Sequence, residues 1–254
     1  MILEVRALTK TFGGLKAVEE VSFRVSRGII FSIIGPNGAG KTTLFNCITG
    51  MFPMTGGQVL FKGEDITRRK PYEITKMRIA RTFQNIRLFS NMTVMENVMV
   101  GLHTCSKKGL ITAIAKTKIF LKEEAEIKSK AMEYLKFTGI DDYAGFLAGN
   151  LPYGDQRRLE IARALATEPE MLLLDEPAAG MNPHETGELM KLIKRIREWG
   201  KTVILIEHDM KVVMGISDRI IVLDHGVKIA EGNPKEIQNN PDVITAYLGK
   251  EDIF

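Results

Sequence analysis

Cysteine is scarce: Cys47 and Cys105 are the only two in 254 residues. With four scattered histidines they make neither a disulfide framework nor a metal site, which implies a reducing compartment. Long apolar runs are missing too. Gly28 to Ile34, Met171 to Leu174 and Val203 to Ile206 reach strand length only, well short of the ~20 residues of a spanning helix, so any membrane role is expected to be peripheral. The first residues, MILEVRALTK, enter a strand pattern without the basic start, apolar stretch and small-residue cleavage site of a secretory leader, and export is not expected. No run of five basic residues occurs. Lys+Arg 35 against Asp+Glu 31 leaves a formal charge of +4, a weak basis for nucleic acid as a partner. The densest basic spot, Arg68-Arg69-Lys70 beside Pro71, reads as a solvated loop. Internal repeats and low-complexity stretches are absent.

What is present is the alternation of an α/β protein. Hydrophobic content of 44% and charged content of 26% suit a substantial core. Residues 2 to 25 alternate apolar and polar around Gly13-Gly14, as half-buried antiparallel strands do. Ile29 to Ile34 is continuously apolar apart from Ser32, the pattern of a strand covered on both faces. Comparable runs at Met171 to Leu174, Thr202 to Ile206 and Arg219 to Leu223 each follow a segment of helical spacing, which predicts a parallel sheet flanked by helices. Asp224-His225-Gly226 reads as a hairpin turn into Val227 to Ala230. Between Asn91 and Asn150 the period changes to three and four, with Met95, Val98, Met99 and Leu102 and then Ala131, Tyr134 and Leu135, so a helical lobe is expected there. The methionines Met92, Met95 and Met99 read as core rather than as a docking stripe.

Directly after the continuous apolar strand, Gly35-Pro36-Asn37-Gly38-Ala39-Gly40-Lys41-Thr42 has the spacing G-x-x-x-x-G-K-[ST] and opens a helix at Thr43. Glycines let the backbone wrap phosphate oxygens and aim N–H groups inward, and the helix N-terminus favours the anion. An anionic triphosphate is the matching ligand. Lys41 is expected at the β- and γ-phosphates, Thr42 on Mg²⁺ through its hydroxyl, and Thr43 at the α-phosphate. A second apolar strand, Met171 to Leu174, ends in Asp175 and Glu176, where open α/β sheets place ligands. Asp175 is expected to hold Mg²⁺ through water, and Glu176 to polarise or orient the attacking water.

Leu151-Pro152-Tyr153-Gly154-Asp155-Gln156-Arg157-Arg158 resembles the signature of the ATP-binding-cassette family. The resemblance covers nearly the whole chain. Phe12 looks like the aromatic that stacks on adenine, Gln84 like the Q-loop glutamine, Ala179 to Asn182 like the D-loop, and His208 like the switch histidine. It implies a P-loop NTPase core with an antiparallel β subdomain and an inserted helical subdomain, the core expected over residues 1–84 and 160–254 and the helical part over 90–158. Gln84 would then sense Mg²⁺ and water, His208 would touch the γ-phosphate, and Leu151 to Asp155 would face an ATP held by a partner cassette, a second copy or a sibling chain.

Three positions depart from the usual Leu-Ser-Gly-Gly-Gln: Pro152, Tyr153 and Asp155. Proline supplies neither the hydroxyl nor the N–H of serine, so a weakened closed dimer is expected, which Pro152→Ser would strengthen. Asn182 stands where aspartate is usual. LPYGDQRRLEI, DEPAAGMN and Ala246-Tyr247-Leu248-Gly249 look like the ATPase subunits of branched-chain amino acid importers, as does the insertion around Lys107 to Lys130. That resemblance implies two membrane permeases, an extracellular binding protein reached indirectly, and a place on the cytoplasmic face of the membrane. The first alternative is an ATPase subunit serving another transported substrate, and the second a soluble cassette ATPase of translation or DNA maintenance; the latter usually carry two cassettes in a chain or a long coiled coil before the signature, and neither is present here.

Overall fold

The computed structural model describes residues 1–103 and 118–247, with side chains in the first helix beyond the gap described from residue 124 onward. Cys105, residues 107–117 of the expected insertion, and Leu248-Gly249 lie outside the described residues. Two compact units emerge, one of residues 1–81 with 170–254 and one of residues 82–169.

In the first unit, β1 (Leu3–Phe12) pairs antiparallel with β2 (Leu15–Val25) across the Gly13-Gly14 turn, and on its other side with β4 (Gly56–Phe61). β5 (Glu64–Asp65) completes a four-stranded sheet of order β2-β1-β4-β5. The second sheet runs β10-β9-β3-β8-β7-β6, from β3 (Ile30–Ile34), β6 (Ile79–Arg81), β7 (Met171–Asp175), β8 (Thr202–Ile206), β9 (Arg219–Asp224) and β10 (Val227–Gly232). All its pairings are parallel except β9 with β10, which the Asp224-His225-Gly226 turn joins. β3, β7 and β8 are buried at every position, as their unbroken apolar runs predict.

Alternate side chains enter two different cores. Ile33, Ile221 and Leu223 pack with Leu44 and Phe45 of α1 (Lys41–Ile48) and with the β1–β2 hairpin. Ile34, Ile220 and Val222 pack with α7 (Met210–Ile216), α8 (Pro234–Gln238) and α9 (Pro241–Tyr247). α2 (Pro71–Lys76) and α6 (Pro183–Glu198) complete this unit. Arg68-Arg69-Lys70 is an exposed turn, in which Arg69 pairs with Glu64 and Glu73. Cys47, inside α1, is a free thiol that burial pushes up to about 11.

The second unit is helical, as the change of period predicts: α3 (Val94–His103), α4 (Lys118–Thr138) and α5 (Tyr153–Leu165). Its core is Val94, Val98 and Leu102 against Ala131, Leu135, Leu159 and Ala162. Met95 is buried in it, with Met99 packed alongside. Its limits differ from the expected 90–158. All of α5 belongs to the lobe because Leu159, Ala162 and Ala166 pack in the lobe's core, and Gln84 belongs to it because side chains of α5 hold that stretch of backbone. Among the described residues no helix is long and apolar enough to cross a membrane.

Candidate nucleotide site

Strand register brings the core's functional residues to one edge. Ile33 of β3 lies beside Ile206 of β8, and Ile206 lies beside Asp175 of β7. The three parallel strands therefore release Gly35, Glu207-His208 and Glu176 at the same carboxyl end, where such sheets bind ligands.

The phosphate loop is shaped by glycine. Gly40 caps α1 at φ 95, and a Cβ there would meet the Ala17 carbonyl oxygen at 2.4 Å. A Cβ on Gly35 would meet the Leu223 carbonyl oxygen at 2.1 Å. No other residue fits both the torsion and the space. Lys41 is nearly buried, and its ammonium donates to the carbonyls of Gly35 at 2.7 Å and Pro36 at 3.0 Å. The cation assigned to the terminal phosphates is thus already gathered into the loop. Thr42 is exposed, and Thr43 half-buried, in the first turn of α1, whose dipole favours an anion ahead of it.

Asp175 is 1% exposed. Its Oδ2 accepts from Arg81 Nη2 at 2.7 Å, and the same guanidinium donates to Asn46 Oδ1 and Thr49 Oγ1 of α1. Its Oδ1 is buried without a hydrogen-bond partner. A buried carboxylate with one oxygen paired and the other unsatisfied suits a hydrated divalent cation, a donor chemistry that fits Mg²⁺. Arg81 escaped the sequence reading, since an arginine at a strand end carries no distinctive spacing.

Glu176 stands at φ 44, a left-handed conformation that a glutamate adopts only under constraint, with its N–H donating to the Ile206 carbonyl at 2.9 Å. His208 Nδ1 lies 3.6 Å from Glu176 Oε2. Beside them is Glu207, 0% exposed, which accepts from the Ala178 N–H at 2.8 Å and the His208 N–H at 3.2 Å. Burial raises its carboxyl above the ordinary range. It joins the segment leading to the histidine to the segment before Ala179 to Asn182, and a single carboxylate following an apolar strand carries no distinctive spacing. Asn182 has a local explanation: its side chain accepts from Glu185 N at 3.0 Å, and Glu185 reaches back to Asn182 N at 2.9 Å, a capping box for α6 with Pro183 behind it.

Phe12 is 43% exposed, with Phe52 edge-on at 5.5 Å and the Lys10 ammonium 4.6 Å from its ring centroid. Lys10 is fixed by the Pro53 carbonyl at 2.8 Å. The aromatic position is therefore a small cluster, of which the sequence reading found one member.

Gln84 and Leu151 to Asp155 lie in the lobe. Pro152 is the N-cap of α5, Gly154 is buried and Asp155 occupies the first turn, which complements the helix dipole. Proline offers no capping side chain, and Gln156 instead donates to the Leu151 carbonyl at 2.8 Å. Gln84 is exposed, and its carbonyl accepts from Arg157.

Comparison with known proteins agrees with this geometry. Residues 18–179 match the family described as ABC transporter, and residues 227–253 match the family described as branched-chain amino acid ATP-binding cassette transporter. The chain is 50% identical over 250 residues to the high-affinity branched-chain amino acid transport ATP-binding protein LivG of Escherichia coli (strain K12), covering 98% of each. A crystal structure of the ADP conformation of an ABC transporter's ATP-binding cassette superposes with TM-score 0.85 at 34% identity, covering 98% of this chain and 99% of that one. A dimeric cassette in a post-hydrolysis state with ADP and Pi gives 0.78 at 29% identity, covering 92% and 99%. The chain belongs to the ABC transporter family of ATP-binding cassettes, and is an ATPase of the branch that serves branched-chain amino acid transport.

Proposed function

We propose that this ATPase drives import of branched-chain amino acids from the cytoplasmic face of the membrane, bound peripherally to two permease subunits. An extracellular binding protein delivers the substrate to those permeases and never meets this chain. The working unit holds two cassettes, this chain with a sibling or with a second copy of itself. Thr42 and Gln84 would hold Mg²⁺, with Asp175 reaching it through water, and the ion would neutralise charge on the terminal phosphates. Glu176 orients the attacking water, His208 meets the γ-phosphate, and Phe12 stacks on adenine. Leu151 to Asp155 face the partner's ATP. Closure and hydrolysis supply the conformational stroke.

The observation that carries the import reading is the likeness to LivG along 98% of the chain, together with the match of residues 227–253 to the branched-chain amino acid cassette family. Affinity purification of the tagged chain from its native cells in mild detergent, with mass spectrometry of what accompanies it, tests it. Two polytopic permeases and a related cassette support import. Ribosomal or DNA-maintenance proteins without permeases overturn it and leave the ATPase.

A further inference from the structure

Tyr247 is distinguished in the sequence only by resemblance, and the functions assigned above leave it unused. It closes α9, and its side chain is buried in one core with Ile34 of β3, Val222 of β9 and Val243 of its own helix. The residue is 8% exposed, and its hydroxyl is buried with no hydrogen-bond partner among the described residues. What the hydroxyl faces is the Gly35 N–H and the Asp224 carboxylate. Burial pushes the phenol up to about 12, so it meets them as a neutral hydroxyl.

Gly35 is where β3 ends and the phosphate loop begins, and its carbonyl accepts from the Lys41 ammonium at 2.7 Å. The same helix borders the loop a second time. Pro36 and Asn37 of the loop, Asp224 and His225 of the β9–β10 turn, and Thr245 and Ala246 of α9 line one cavity of about 690 Å³. Packing alone does not ask for tyrosine at 247. Phenylalanine would fill the same core space, and a buried hydroxyl without a partner costs stability that phenylalanine would not. A hydroxyl kept at that cost, against the residue on which the phosphate loop begins, acts on the loop rather than on the core. Its use comes when the loop is occupied: an ammonium drawn to phosphate oxygens leaves the Gly35 carbonyl, and Gly35 then needs another hold.

We infer that Tyr247 is a positioning residue for the phosphate loop, its hydroxyl accepting from the Gly35 N–H once Lys41 has turned to the phosphates, so that the C-terminal helix sets the loop's affinity for ATP. This rests on the reading above in which Gly35 to Thr43 hold the triphosphate.

Binding of a fluorescent ATP analogue to the full-length chain, with steady-state ATPase kinetics and melting temperatures, compares Tyr247→Phe with Val243→Ala, a core residue one turn earlier in α9. Val243→Ala should lower the melting temperature and leave ATP affinity nearly unchanged. Tyr247→Phe should do the reverse: a melting temperature held or raised, kcat near the parent's, and Kd and KM for ATP higher by about two- to tenfold, the worth of one hydrogen bond. A Tyr247→Phe chain that binds ATP as tightly as the parent, or loses affinity only as far as Val243→Ala does, overturns the proposal. Lys41→Ala in the same assay isolates the other failure. ATP bound as tightly without that ammonium would sink the reading of the loop itself, and the role of Tyr247 with it.

Discussion

In the core unit the residues assigned to the nucleotide are set by backbone: two glycines where a Cβ would meet carbonyl oxygens at 2.1 and 2.4 Å, a glutamate at φ 44, and three strand ends in register. In the lobe the corresponding residues are set by side chains: Arg157, Glu160 and Arg163 of α5 hold the loop of Gln84, while Asn97 of α3 accepts from Phe89 N at 3.0 Å and donates to its carbonyl at 3.0 Å. Backbone devices demand particular residues at fixed spacing, so they read as motifs. Side-chain devices demand only that charges meet in space, and the sequence does not announce them.

That contrast can be broken most forcefully in the lobe. Arg157→Met alone leaves Glu160 buried and unpaired, and about 3–5 kcal/mol of stability should be lost. Adding Glu160→Leu should restore most of it, the exposed loop groups turning to water. Urea unfolding midpoints of the single and double variants check this; a double variant as unstable as the single would mean that packing, not charge, holds the loop. The matching change in the core is Gly40→Ala. Left-handed strain alone costs about 1–3 kcal/mol, and the Cβ meets the Ala17 oxygen as well, so ATP binding measured with a fluorescent analogue should be lost with no compensating second change.

The smallest effect concerns Glu207, a side-chain device inside the backbone-built core. Burial raises its carboxyl above the ordinary carboxylate range, so the folded state binds this proton more tightly than the unfolded chain. Its contribution is fully present below the unfolded value and is lost as pH rises through the folded one. Glu207→Gln removes that dependence, and the melting temperature of the variant should gain on the parent's as pH rises above the ordinary carboxylate range. A difference that stays constant over that rise would remove Glu207 from the titrating groups.

Legibility followed the same division. The strands, their order of burial, the hairpin at Asp224 to Gly226, the phosphate loop and the paired carboxylates were readable because glycine spacing and unbroken apolar runs have few other uses. The lobe's existence was readable from its helical period, but its limits were not. Residues 82–89 show no period, and side chains of the lobe, Arg157, Glu160, Arg163 and Asn97, bond them to it. Arg81 and Glu207 were missed for a related reason: each is a lone charge beside an apolar strand, and its partners, Asp175 and the Ala178 N–H, are distant in sequence.

The central claim, that the sheet edge carrying Gly35, Glu176 and His208 hydrolyses ATP, is tested most directly by the turnover of purified Glu176→Gln. Mg-ATP should bind as in the parent, while hydrolysis falls by about 10²–10⁴-fold, the range for loss of a positioned base. A variant that binds ATP and hydrolyses it at the parent's rate would contradict the account.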